Sequence, residues 1–130
     1  MNEFIYIASL NNRNLNLEII RSFSVLILNV SRPEMLYFLF SNNFINTVIS
    51  NNYENYDEDF TFYYINFLKS LSYKIDQTSI SFFFHNQYNS FPLLQSAIRY
   101  YNYPDAMIKN TVRNIILTLL KCIILIIIIL

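Results

Sequence analysis

An all-α fold of stacked antiparallel helices, an armadillo/HEAT-like α-solenoid segment, follows from three features of the sequence. Apolar residues recur at spacings of three and four over most of the chain, the periodicity of amphipathic helices. The chain contains no glycine, so hairpins of the Asn-Gly type are excluded and an all-β reading is weakened. The helical runs, about 8 to 18 residues each and joined by short connectors, suit antiparallel neighbours.

The elements follow in order. Met1 to Leu10 is apolar but holds Glu3 and has no basic leader, which makes it a poor signal peptide. Asn11 to Asn14 is a polar break, with Asn14 the expected N-cap. Leu15, Ile19, Phe23, Leu26 and Val30 then form a helical stripe widened by Ile20 and Ile27, predicting a helix over Leu15–Asn29. Ser31-Arg32-Pro33 stops and restarts the chain, and a short helix is expected over Glu34–Phe40 with Pro33 in its first turn. After Ser41-Asn42-Asn43 a further short helix is predicted over Phe44–Ser50. Asn51 to Asp59 holds four of the nine acidic residues and reads as a surface loop. Its Asp57, Glu58 and Asp59 are placed to complement the dipole of the next helix; that reading outweighs a metal site.

The clearest pattern is Phe60, Tyr63, Tyr64, Phe67, Leu68, Leu71 and Ile75, a broad apolar face with Lys69 and Lys74 towards the carboxyl end. Asp76 to Phe84 alternates like a strand, yet its helical neighbours favour a short helix. His85 to Ser90 reads as a polar loop. Ser90 is the expected cap of a helix with Phe91 and Pro92 in its first turn and an apolar face of Leu94, Ala97, Ile98 and Tyr101. Pro104-Asp105 opens the last helix, expected to bury Ile108, Val112, Ile115, Leu119 and Leu120. Asp105 and Lys109 are spaced as an exposed i,i+4 ion pair. The Pro-Asp start followed by Ile108-Lys109 has the look of a HEAT or armadillo second helix, although no clean internal repeat is present.

Composition narrows function mainly by exclusion. Glycine-rich phosphate loops and dinucleotide fingerprints need residues that the chain lacks, and a nucleophile elbow is excluded for the same reason. His85 is the single histidine and Cys122 the single cysteine, so no histidine-based metal cluster, intramolecular disulfide or Cys–His catalytic pair is expected. The aromatic runs Phe82-Phe83-Phe84 and Tyr100-Tyr101 read as core; a formal net charge of +0 argues against their being a stacking surface for nucleic acid. No cofactor and no enzymatic activity are expected.

After Lys121 come nine apolar residues, Cys122 to Leu130. As a helix this run spans about 14 Å, against about 30 Å of hydrocarbon. Extending it back to Ile115 places Lys121 mid-membrane at about 2.5–3.5 kcal/mol. A spanning anchor is therefore disfavoured. The alternatives are a buried final helix and the end of a truncated or misread gene product, since isoleucine runs are what translated AT-rich non-coding sequence looks like. The expected organisation is a lead-in over 1–13, a helical domain over 14–121 and an apolar, Ile-rich tail over 122–130.

Several collinear blocks resemble the FPL-domain family. They are Leu36 to Asn46 (LYFLFSNNFIN), Tyr63 to Ser72 (YYINFLKSLS), Ser81 to Asn86 (SFFFHN) and Ala97 to Asp105 (AIRYYNYPD), together with Met107-Ile108-Lys109 and Val112-Arg113. The family's tripeptide stands here as Phe91-Pro92-Leu93, read as a structural helix start and not as a chemical site. Its members include the Ema-type endosomal maturation proteins, the C-type lectin domain family 16 proteins and a plant vacuolar-trafficking relative. The resemblance implies an armadillo-like helical segment of a larger cytosolic protein, peripheral on endosomal, lysosomal or Golgi membranes.

The implied function is that of a non-enzymatic scaffold or adaptor in endosomal–lysosomal trafficking and autophagy, including mitophagy. Partners would be proteins of that machinery, a ubiquitin ligase among them, with no nucleic acid and with peripheral membrane association. Arg99, Lys109 and Arg113 are the candidate partner contacts, set against their reading as ordinary solvated cations. The second functional reading is a small membrane-anchored protein held by the Ile-rich tail.

Overall fold

The computed structural model describes residues 12–41, 43–84 and 90–129. The expectations for Met1 to Leu10 and for His85 lie outside the described residues. All regular structure among those described is helical: α1 (Arg13–Asn29), α2 (Pro33–Phe40), α3 (Phe44–Ser50), α4 (Glu58–Lys74), a 3-10 helix (Ile80–Phe83), α5 (Pro92–Arg99) and α6 (Ala106–Ile129).

Helix starts are set by local chemistry. Asn12, not Asn14, caps α1, its side-chain oxygen accepting from the Leu15 N–H at 3.2 Å. Asp57 caps α4 through the Phe60 N–H, with Glu58 and Asp59 in the first turn as the dipole prefers. Asp105 caps α6 by accepting from the Ile108 N–H at 2.9 Å. That cap replaces the expected ion pair, since no salt bridge joins Asp105 to Lys109 among the described residues. Ser90 does not cap α5: Phe91 occupies the cap position without a side-chain hydrogen bond, and Pro92 stands at the helix start, where its missing N–H costs nothing. Between α2 and α3, Asn43 adopts φ 63°. Asparagine tolerates this left-handed turn better than most side chains, in a chain that has no glycine to offer.

α4 is the centre of the molecule. Phe60, Tyr64, Ile65, Phe67, Leu68 and Leu71 are all buried, while Tyr63, expected on this face, lies at its exposed margin. α4 packs most extensively against α1, then against α6, and also touches α5; α3 packs against α5 and α2. A regular order lies behind these contacts. The elements α2, α3, α4 run short, short, long, and the 3-10 helix, α5 and α6 repeat that order. Counterparts pack on each other: Tyr37 and Phe40 of α2 meet Phe82 and Phe83 of the 3-10 helix, ring centroids 6.2 and 4.9 Å apart, α3 meets α5, and α4 meets α6.

Two helices are rotated from their expected faces. α1 buries Asn16, Ile19, Ile20 and Ile27, and Leu15 and Leu26 point outward, because α4 covers the side defined by Ile20 and Ile27. α5 buries Leu93, Ser96 and Ala97, whereas Ile98 and Tyr101 are exposed. On α6, Ile108, Val112, Ile115 and Leu119 are buried as expected, but Leu120 is not. The segment 76–84, ambiguous in sequence, forms a turn followed by the 3-10 helix. Loop 51–57 is less polar in its packing than in its composition, for Tyr53 is buried within it.

Candidate protein-interaction surface

The tripeptide Phe91-Pro92-Leu93 is wholly internal. Phe91 stacks on Phe84 with ring centroids 4.5 Å apart, and Leu93 is fully buried. These residues fix where α5 begins and which face it turns inward.

The three candidate contact cations lie at the junction of α5 and α6. Arg99 is the last residue of α5 and is exposed. Lys109 is half-buried in the first turn of α6, and Arg113 one turn later is exposed. The Arg113 guanidinium sits over the Tyr101 ring, 5.1 Å from its centroid, tying α6 to the turn that follows Arg99. Lys109 and Arg113 share a side of α6 by their spacing. No direct contact unites the three into one cluster among the described residues.

A surface that sequence periodicity missed lies between the end of α1 and α2. Leu26, Val30, Glu34, Met35, Phe38 and Leu39 line an apolar groove of about 510 Å³. Phe38 is 70% exposed and Met35 53%, so two large side chains stand in solvent at its edge. The signal was present in composition: α2 reads Met-Leu-Tyr-Phe-Leu-Phe after Glu34, and an eight-residue helix packed on one side cannot bury all of these.

A second cleft, about 670 Å³, runs between the turn Ile75–Thr78 and α6, lined also by Thr118, Lys121, Cys122 and Leu125. Burial, with the negative charge of Asp76 nearby, pushes the Cys122 thiol up; it stays protonated and a poor nucleophile at neutral pH. Burial raises the Asp76 carboxyl too, but hydrogen bonds from Thr78 and Ser79 outweigh it and hold the group below its ordinary value. Asp76 is thereby occupied in closing its own turn.

Elsewhere polar groups serve the framework. Arg13 grips Asp57 with Nη2 at 2.8 and 2.9 Å from the two carboxylate oxygens, and that guanidinium holds the Asp57 carboxyl below its usual value. Tyr53 and Tyr64 donate their hydroxyls to the carbonyls of Val48 and Ile49 at 2.9 and 2.7 Å. Burial pushes both phenols well above the ordinary tyrosine range. Asn46 donates to Asn43 Oδ1 and to the Phe82 carbonyl, joining the loop before α3 to the 3-10 helix. No group of three or more His, Cys, Asp or Glu suited to a metal ion occurs among the described residues.

The fold and its surface define a class: a domain all-helical among the described residues, whose polar side chains brace the framework and whose exposed features include an apolar groove, an apolar helix end and scattered cations. The chain belongs to the FPL family, described as an uncharacterised conserved protein, whose model matches residues 1–120. It is 36% identical over 118 residues to the CLEC16A homolog of Caenorhabditis elegans, covering 91% of this chain and 13% of that protein. It is 32% identical over 124 residues to human CLEC16A, covering 92% of this chain and 12% of the relative. It is 28% identical over 121 residues to TRANSPARENT TESTA 9 of Arabidopsis thaliana, covering 90% and 14%. The chain thus spans about an eighth of the length of these relatives. No solved structure matches it significantly.

Proposed function

We propose that this chain is a non-enzymatic scaffold or adaptor segment of endosomal–lysosomal trafficking and autophagy, mitophagy included, working by display of a rigid helical surface to partner proteins. Family membership supports the trafficking assignment, and the short–short–long order of elements, packed counterpart on counterpart, supports an armadillo/HEAT-like solenoid. The observation that carries the interaction role is the α1–α2 groove, with Met35 and Phe38 exposed at its edge. Methionine and aromatic side chains supply adaptable apolar contact at protein interfaces. Arg99, Lys109 and Arg113 serve as separate polar contacts at the junction of α5 and α6. The partners are trafficking and autophagy proteins, with a ubiquitin ligase among them, and the setting is the cytoplasmic side of endosomal, lysosomal or Golgi membranes.

The test places Phe38→Asp with Met35→Asp in the intact family protein and scores capture of endosomal and ligase partners. Both sites are exposed, so melting should stay within a few degrees while capture of at least one partner falls tenfold or more. Unchanged capture of every scored partner, or after deletion of the whole segment, would sink the proposal.

A further inference from the structure

α6 changes character along its length. Over its first turns the outward side is mainly polar, with Asn110, Arg113 and Asn114 exposed opposite the buried Ile108, Val112 and Ile115, and Met107 the one large apolar side chain beside them. From Leu117 onward the outward side is apolar: Leu117, Leu120, Ile124, Leu125, Ile127 and Ile128 are 40–73% exposed. By length and composition Ala106–Ile128 is apolar enough to cross a membrane, yet only 17% of its most apolar window is buried, unlike the core helix of a soluble protein. Its charged residues are Lys109, Arg113 and Lys121, all cationic.

We infer that the distal half of α6 dips into one leaflet of a lipid bilayer, exposed face first, with Lys121 reaching back to the headgroups. This deepens the trafficking reading and rests on its membrane part, independently of the protein-binding groove on α1 and α2. Twelve residues from Leu117 to Ile128 rise only about 18 Å, short of the roughly 30 Å needed to span. They suffice for a helix buried about 5–10 Å at the interface. A lone lysine at that depth extends its stem through the apolar layer and keeps its ammonium among phosphates. Three cations without a carboxylate on the helix complement an anionic lipid surface.

Two other occupants fit less well. A further helical unit stacked as α6 stacks on α4 would cover the outward side along its length, but over the first turns Asn110, Arg113 and Asn114 would be buried with it, Met107 alone being apolar there. A second copy needs about 800 Å² from each partner. Six aliphatic side chains, each worth roughly 60–120 Å² and about half exposed, supply at most a few hundred. A bilayer sets no such minimum.

Vesicle flotation of the full chain tests this, using phosphatidylcholine with and without phosphatidylserine. The chain contains no tryptophan, so Ile127→Trp places a single indole at the expected depth. It should be quenched by lipids brominated along the acyl chain and hardly by a headgroup quencher. Ile124→Glu with Ile128→Glu, both at exposed positions, should cut the floated fraction at least tenfold with the melting temperature unchanged. Lys121→Glu should remove the preference for phosphatidylserine, and Phe38→Asp should float like the parent, which separates this inference from the partner surface. Four outcomes overturn it: a parent chain that stays soluble, a double variant that binds equally, an indole quenched only at the headgroup, or a lipid-free dimer that Ile124→Glu and Ile128→Glu abolish.

Discussion

Tyr53 lies within the loop that enters α4 and Tyr64 on α4 itself, and each spends its hydroxyl on a carbonyl in the last turn of α3. Those carbonyls have no partner within their own helix, and besides Tyr64 the Ile49 carbonyl has only a long contact from Ser96 Oγ at 3.5 Å, so removing the Tyr64 hydroxyl leaves a buried acceptor poorly satisfied. Tyr64→Phe is expected to cost about 1–3 kcal/mol in urea unfolding. The same geometry fixes a pH dependence. Burial raises both phenols above the ordinary value near 10. The folded chain therefore holds protons that the unfolded chain releases, and stability, fully present below about pH 10, falls as pH rises further. Tyr53→Phe with Tyr64→Phe should flatten that alkaline decline; an equally steep decline in the double variant refutes the assignment. Tyr64 was readable in advance, since it lies on the periodic face of α4. Tyr53 was not, because it sits in a stretch whose acids and asparagines mark it as solvated, and only the packing of Phe60 and Tyr64 against its ring draws it inward.

At the level of the element, α5 shows where periodicity stops deciding. Its sequence admits two apolar faces, one through Leu94, Ala97, Ile98 and Tyr101, the other through Leu93, Ala97 and Tyr100. Spacing cannot rank them. The second prevails because Phe91 stacks on Phe84, which orients the helix start and turns Leu93 into the core. Leu93→Ala should accordingly destabilise by about 2–5 kcal/mol, and Ile98→Ala by no more than about 0.5 kcal/mol. Equal costs in chemical denaturation would show that the two faces share the burial. α1 repeats the lesson, with Leu15 and Leu26 fitting the stripe yet facing solvent because α4 covers the adjoining side. Helix ends were more legible than helix faces: Asp57 and the Pro104-Asp105 start act locally, through backbone N–H groups within one turn, and need no tertiary partner.

Across the described residues α4 is sandwiched between α1 and α6 and makes the most extensive contacts of the helices. Its amides can exchange only when those neighbours part, so amides of Phe67 to Leu71 should exchange slowest and set the global unfolding free energy, while the distal turns of α6 exchange fastest among the helices. Slowest exchange in α1 or α6 instead would displace α4 from the centre of the fold. The surfaces proposed for lipid and for protein partners draw their exposed apolar groups from the outer elements, α6 on one side of α4 and α1 with α2 on the other, where the cost of leaving such groups exposed does not disturb this centre.

The sequence by itself determined the helical class, the element order and most helix starts, because periodicity, capping residues and turn residues act over a few neighbouring positions; its collinear blocks carried the resemblance to the family. It also excluded glycine-dependent phosphate sites, which no packing can restore. Only the tertiary structure decided which faces of α1 and α5 turn inward, that Tyr53 is core, and that the two short–short–long sets pack counterpart on counterpart although the sequence holds no clean repeat. It likewise decided that Met35, Phe38 and the far end of α6 are left uncovered. The reason is geometric: hydrophobicity states what gains from burial, but the neighbours available at each position settle what is buried.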